Sequence, residues 1–327
     1  MQRGEQTFYG NKTFDHNVQF NGNATFFGPI LGGPRVGYDY FLHSGTGHDG
    51  GGYGKTWLKP FATLDYALSK ITADQGSRLW IMPKHAETLT GAGGLTLDVA
   101  GLDIIGLGRY DSRPRFLMDG DAITGLVTAA NVSLSNCVFA AGHADIASCL
   151  LVTAKGFGLY NNRFELNTTE ENFVKIVDAG VSTDNAFDGL EVIGNVIDFA
   201  GDAGELTPII LNKNSESVRI IGNKIYGDFD TTPYAVIYSP NTEVHADIEI
   251  AYNHIHNLHD ANAVVGISVG STGSTGFMHH NYVYALDVAG ATPFVTAATG
   301  ISVFENYYNH VGSTTSAYLH PAAGSIG

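Results

Sequence analysis

Six side chains with chemical capacity recur at one offset from a repeated motif: Glu165, Asp198, Tyr226, His256, Tyr284 and Asn309. If the motifs stack, these residues line a single outward stripe. Acids beside aromatic rings suit carbohydrate, because rings stack on sugar faces and carboxylates accept hydrogen bonds from hydroxyls. Glu165 and Asp198 would occupy adjacent repeats. Two carboxylates about 5 to 9 Å apart can act as acid and base in glycoside cleavage. A polar outer face, which any stacked β-structure must present, accounts for the same residues without function. Histidines also gather late in the chain, at His254, His256, His259, His279, His280 and His310. His254 and His256 alternate along one segment, but no third ligand is fixed by spacing, so neither a metal nor a cofactor is expected.

The motif that would position the stripe is an internal repeat. Leu190-x-Val192-x-x-Asn195-x-Ile197 returns as Val218-x-Ile220-x-x-Asn223-x-Ile225 and Ile248-x-Ile250-x-x-Asn253-x-Ile255. Phe157-x-Leu159-x-x-Asn162-x-Phe164 precedes them, and looser copies are centred on Asn281 and Asn306. Two earlier copies hold Leu107 and Cys137 in place of asparagine. The gaps between these anchors are 30, 25, 33, 28, 30, 28 and 25 residues. Within each unit, apolar residues alternate, break and alternate again, which is the pattern of strands with one buried face and a corner between them. Asparagine tolerates the left-handed conformation of a sharp corner, and stacked amides can hydrogen-bond along a ladder. A further apolar run in each unit gives about three strands per coil. The expectation is an all-β, single-stranded solenoid, a parallel β-helix over residues 59–310, with Asn162, Asn195, Asn223, Asn253, Asn281 and Asn306 as its structural ladder.

On these repeats the chain resembles the pectate-lyase-like superfamily of right-handed parallel β-helices, and right-handedness is what that resemblance implies. The enzymes of that superfamily do not extend the resemblance to a site. Pectate lyases use clustered aspartates for calcium and an arginine base, and polygalacturonases carry Gly-His-Gly with paired aspartates. Neither set is found here, and no arginine follows Asp228 and Asp230 in register.

A solenoid needs its open end covered. Leu64, Ala67, Leu68 and Ile71 follow helical spacing, with Thr63 as the expected N-cap, so a short helix is predicted before the strand Arg78–Met82. The order Lys59-Pro60-Phe61-Ala62-Thr63, helix, strand, Pro83-Lys84-His85 is similar to the leading segment of phage-borne β-helix proteins, where the helix plugs the first coil. Upstream, Asp49-Gly50-Gly51-Gly52-Tyr53-Gly54-Lys55-Thr56 only superficially resembles a phosphate-binding loop, since aspartate stands where glycine is required. Residues 31–58 read as a glycine-rich linker and 311–327 as a C-terminal tail.

Residues 1–30 hold a second repeat of six residues, with Phe8, Phe14, Phe20 and Phe26 in register and asparagines at 11, 17 and 23. Six is a multiple of two, so the four rings share a strand face. One chain would need about three hexads per coil, so four hexads cannot bury their own rings. Three chains contributing one hexad each per layer would bury them, at roughly 2 kcal/mol per ring before ordering costs. A trimerising β stem is expected, and a flexible arm that pairs with its own β-helix or with a partner is the alternative. Such hexads resemble the intertwined stems of phage fibre, tail and capsid-decoration proteins. The resemblance implies a homotrimer on the virion surface that contacts other capsid or tail proteins through the stem. Its solenoid would meet host polysaccharide, either as a non-enzymatic binder or as a tailspike-type depolymerase.

Composition is consistent with a folded, turn-rich chain: 44% hydrophobic and 15% charged residues, with 41 glycines among 327 positions. Seventeen basic residues against 32 acidic ones give a net charge of -15, which repels phosphate backbones and disfavours nucleic acid. No apolar run reaches the roughly 20 residues of a membrane helix, so membrane insertion is not expected. With Met1 as the start and no apolar leader behind it, assembly in a host cytoplasm is expected. Cys137 and Cys149 are too few for a disulfide framework and read as buried thiols.

Overall fold

The computed structural model describes residues 37–91, 94–120, 123–168, 171–180, 183–204, 207–229, 235–258, 265–285, 294–296, 299–310 and 317–319. The hexads with Phe8, Phe14, Phe20 and Phe26, and most of the 311–327 tail, lie outside the described residues.

The alternation of apolar residues resolves into three long sheets of ten, eight and ten strands. Each coil passes from the first sheet to the third and then the second, as in Arg78–Ile81, Ala86–Leu89 and Leu95–Leu97. Every strand pair inside the solenoid is parallel, and successive coils hold residues in register, for example Val192 on Ile220 and Ile220 on Ile250. The result is a right-handed parallel β-helix with almost no helix. At its far end, Ala317–Leu319 returns antiparallel against Asn306–His310.

One continuous apolar core runs from Tyr40 to Ile301. On its third-sheet side, Phe116, Phe139 and Phe164 stack at 5.4 and 5.6 Å between centroids. In the following coils the same inward row continues as Ile197, Ile225, Ile255 and Val283. Cys137 and Cys149 are free and buried in this core. Burial pushes the Cys137 thiol up to about 12 and raises Cys149 as well, so both stay protonated and unreactive.

The asparagine ladder is present, with its six residues fully buried. Each Oδ1 accepts the backbone N–H of the preceding anchor, at 2.9 Å from Asn162 to Asn195 and 3.0 Å from Asn195 to Asn223 and from Asn223 to Asn253. Each Nδ2 donates to a strand carbonyl of the preceding coil, as Asn223 does to Val192 at 2.8 Å. It also reaches the next Oδ1 along the ladder, at 3.4 Å from Asn162 to Asn195 and 2.9 Å from Asn253 to Asn281. The left-handed position, however, is not the ladder asparagine. It is the residue before it: Asn161, Gly194, Gly222, Tyr252, His280 and Glu305 all have positive φ. The asparagine is spent on inward hydrogen bonding, and its neighbour absorbs the corner.

The first sheet begins earlier than residue 59. Asp39–Leu42, inside the segment read as linker, pairs in parallel with Arg78–Ile81. The helix is Leu64–Leu68, with Leu64, Ala67 and Leu68 buried. Thr63 stands at its N-cap without capping it; its hydroxyl donates to Asp49 at 2.7 Å instead. The carboxylate of Glu87, on the third sheet, accepts the Leu64 N–H at 3.0 Å. Asp49 also accepts the N–H groups of Ala62 and Thr63, so it organises the fold of this loop.

Candidate functional site

The outward stripe read from the sequence lies on the outer face of the third sheet. Parallel register places Glu165 beside Asp198, Asp198 beside Tyr226, Tyr226 beside His256, His256 beside Tyr284, and Tyr284 beside Asn309. Two residues upstream on each strand runs a second outward row: Arg115, Val138, Arg163, Val196, Lys224, His254, Tyr282 and Tyr307. The sequence motif reveals the first row, while the tyrosines of the second follow from the same period-two spacing.

The face changes character along its length. Over the last four coils it is aromatic. Tyr226, His256 and Tyr284 meet edge to face at 5.0 and 4.4 Å between centroids, and His254 tilts against Tyr282 at 5.9 Å. Tyr226, Tyr282 and Tyr307 each stay more than a third exposed. Burial lowers His256 from its ordinary value, which leaves a neutral ring among the tyrosines near pH 7. Such a face offers apolar ring surface and hydroxyl groups, the pair of features a sugar requires.

Over the earlier coils the face is ionic. Arg163 donates to Glu165 at 2.8 Å through Nε and to Asp198 at 2.7 Å through Nη2. Arg115 donates to the other oxygen of Glu165 and, at 3.3 Å, to Asn167. The two carboxylates are therefore neighbours, as the spacing predicts, but one guanidinium bridges them. Both oxygens of Glu165 and Oδ2 of Asp198 accept charge-assisted hydrogen bonds, which tie the pair to the arginines. Those bonds raise Arg163 above its ordinary value, despite partial burial.

Next to this ionic patch is a cleft of about 860 Å³ that the sequence reading passed over, with Arg109, Tyr110, Arg113, Arg115, Arg163 and Glu165 on its walls. A one-turn 3-10 helix, Tyr110–Ser112, forms its rim. Ser112 locks the turn: its Oγ accepts the Arg109 N–H at 2.8 Å and donates to the Arg109 carbonyl at 2.7 Å. Gly108 has positive φ, and a Cβ there would meet the Ser112 carbonyl oxygen at 2.4 Å. Tyr110 has positive φ and is 90% exposed. An aromatic residue in that conformation costs of order 1–3 kcal/mol, which the surrounding turn must hold in place. Arg113 donates to the corner carbonyls of Asn136, at 3.4 Å, and Asn161. A signal was available: three of the chain's 17 basic residues fall between Arg109 and Arg115.

The histidine-rich corner near the far end forms a separate group. His279 and His280 share a hydrogen bond between their Nδ1 atoms at 2.9 Å, and His280 pairs with Glu305 at 2.7 Å. His259 lies outside the described residues, as does the side chain of His310. Among the described residues, no group of three or more His, Cys, Asp or Glu is arranged to hold a metal. No helix among them is long and apolar enough to cross a membrane.

No protein-family model matches the chain, and no curated protein matches it. Among solved structures, a rhamnogalacturonan lyase is similar, with TM-score 0.39 and 14% identity over 83% of this chain and 87% of that one. The parallel register of the three sheets defines the fold.

Proposed function

We propose that this chain is a bacteriophage virion structural protein, a homotrimeric decoration, head-fibre or tail-associated spike, whose solenoid binds host-surface glycans without cleaving them. The observation that carries the binding reading is the aromatic end of the third sheet, where Tyr226, His256 and Tyr284 form one outward row across consecutive coils. The bridging of Glu165 and Asp198 by Arg163 supports binding over hydrolysis. Support for the trimer and for the virion surface comes from the hexads at Phe8, Phe14, Phe20 and Phe26, which also supply the contact with capsid or tail proteins. Assembly would take place in the host cytoplasm.

Light scattering of the full chain at high concentration tests the trimer, and a persistent monomer overturns it. A glycan array followed by product analysis tests the rest. Binding without release of reducing ends or unsaturated products is expected. Product release that Glu165→Gln or Asp198→Asn abolishes would instead establish a tailspike-type depolymerase.

A further inference from the structure

The third-sheet face ends toward the N-terminus in the arginine cleft, and its charge is out of keeping with the rest of the molecule. The chain as a whole carries a net charge of -15. The cleft gathers four arginines, Arg109, Arg113, Arg115 and Arg163, against two acids, Asp111 and Glu165. Arg115 and Arg163 are already committed to Glu165. Arg109 and Arg113 are not: among the described residues neither forms an ion pair, and Arg113 spends its donors on backbone carbonyls. The Arg109 guanidinium therefore lines a cleft large enough for a sugar ring with no carboxylate paired to it among the described residues, and Arg113 adds positive charge beside it.

Guanidinium forks bind carboxylate, sulfate and phosphate groups through paired N–H donors. Tyr110 projects at the rim of the same cleft from a turn that Ser112 and Gly108 hold rigid. A ring and a cationic floor together match a ring-shaped ligand that carries an anion. We infer that this cleft recognises an anionic sugar unit, one bearing a carboxylate or a sulfate, within a glycan that continues along the aromatic rows. The inference rests on the glycan-binding reading above and gives that ligand its chemical class. Recognition is a difference in affinity: a neutral glycan leaves Arg109 without an ion pair, and an anionic one supplies it.

The test uses the full chain and three hexasaccharide probes of equal length: a neutral malto-oligosaccharide, an alginate-derived uronate oligomer and a heparin-derived sulfated oligomer. Affinities are measured at low and high salt. At low salt at least one charged probe is expected to bind tenfold or more tightly than the neutral one, and the gap should narrow at high salt. Comparison of the two charged probes identifies the anion. Arg109→Glu should remove most of the gap; Arg109→Gln, which introduces no repulsion, does so in part and serves if the first variant folds poorly. Tyr226→Ala should weaken all the probes that bind. If neutral and charged probes bind equally, and Arg109→Glu changes neither, the inference is overturned while the glycan reading stands. If charged probes depend on Arg109 but not on Tyr226, the cleft is upheld and the aromatic row loses its role. If no probe binds, both are overturned.

Discussion

The two ends of the solenoid are built to the same register but held together and surfaced differently. In the early coils, anchored at Leu107, Cys137 and then Asn162, the inward third-sheet row is aromatic, and the outer face carries an arginine–carboxylate network that reaches Asp198 in the next coil. In the later coils the anchors are hydrogen-bonded asparagines, the inward row is aliphatic, and the outer face is aromatic. The Phe116–Phe139–Phe164 stack belongs to the early coils, and the amide ladder starts at Asn162 and runs through the late coils, where Phe199 and Phe229 also meet in the core at 6.4 Å.

The largest expected effect breaks the ladder. Asn223→Leu would leave the Asn195 N–H and the Val192 carbonyl without buried partners, at about 3–5 kcal/mol. Cys137→Ala removes only packing and one long contact from Sγ to the Ser135 carbonyl, at about 1–2 kcal/mol. Urea unfolding of both variants should keep that order, and the reverse order would remove the ladder from the account.

The next effect is a pH dependence from a buried histidine of the late coils. His245 is buried between the hydroxyls of Ser215 and Ser239, at 2.7 and 2.6 Å, and burial lowers it to about 4. In the unfolded chain it titrates near its ordinary value of 6.5. The unfolded state therefore binds the extra proton first, so stability falls as pH drops from 6.5 toward 4 and levels off below that. The expected loss is about 3 kcal/mol across that window. His245→Asn should flatten the stability profile there, and an unchanged slope would place the titration elsewhere.

The aromatic face gives a smaller, functional effect. Tyr226→Ala and Tyr284→Ala should each weaken glycan binding roughly three- to tenfold, with stability changed by about 0.5 kcal/mol or less. Smallest of all are Glu165→Gln and Asp198→Asn. Both side chains are partly solvent-exposed, so loss of their ion pairs should cost about 1 kcal/mol or less by thermal unfolding. On the non-enzymatic account, glycan affinity at the aromatic end stays unchanged in both.

Much of the fold is legible in the sequence because a β-helix repeats one local rule. The alternation around each asparagine places the strands, and equal offset from the anchors places the third-sheet row from Glu165 to Asn309. The corner chemistry was legible only in part. Gly194 and Gly222 advertise a left-handed residue, but Tyr252, His280 and Glu305 adopt it against their own preference, under the constraint of the coils above and below. Asp39–Leu42 was hidden because a strand that starts a sheet lacks a preceding repeat to match. The arginine cleft was hidden for a different reason. Arg163 reaches it from two coils beyond Arg115, and the pairing of Arg115 with Glu165 joins residues fifty positions apart.

The central claim is that the aromatic end of the third sheet is the glycan face. Hydroxyl-radical footprinting of the full chain, with and without the saccharide that binds best, reads those side chains directly. The account predicts that Tyr226, His256, Tyr282 and Tyr284 become protected while exposed aromatics elsewhere, such as Trp57 and Phe277, do not. Unchanged labelling of that row, with protection confined to another face, would contradict it.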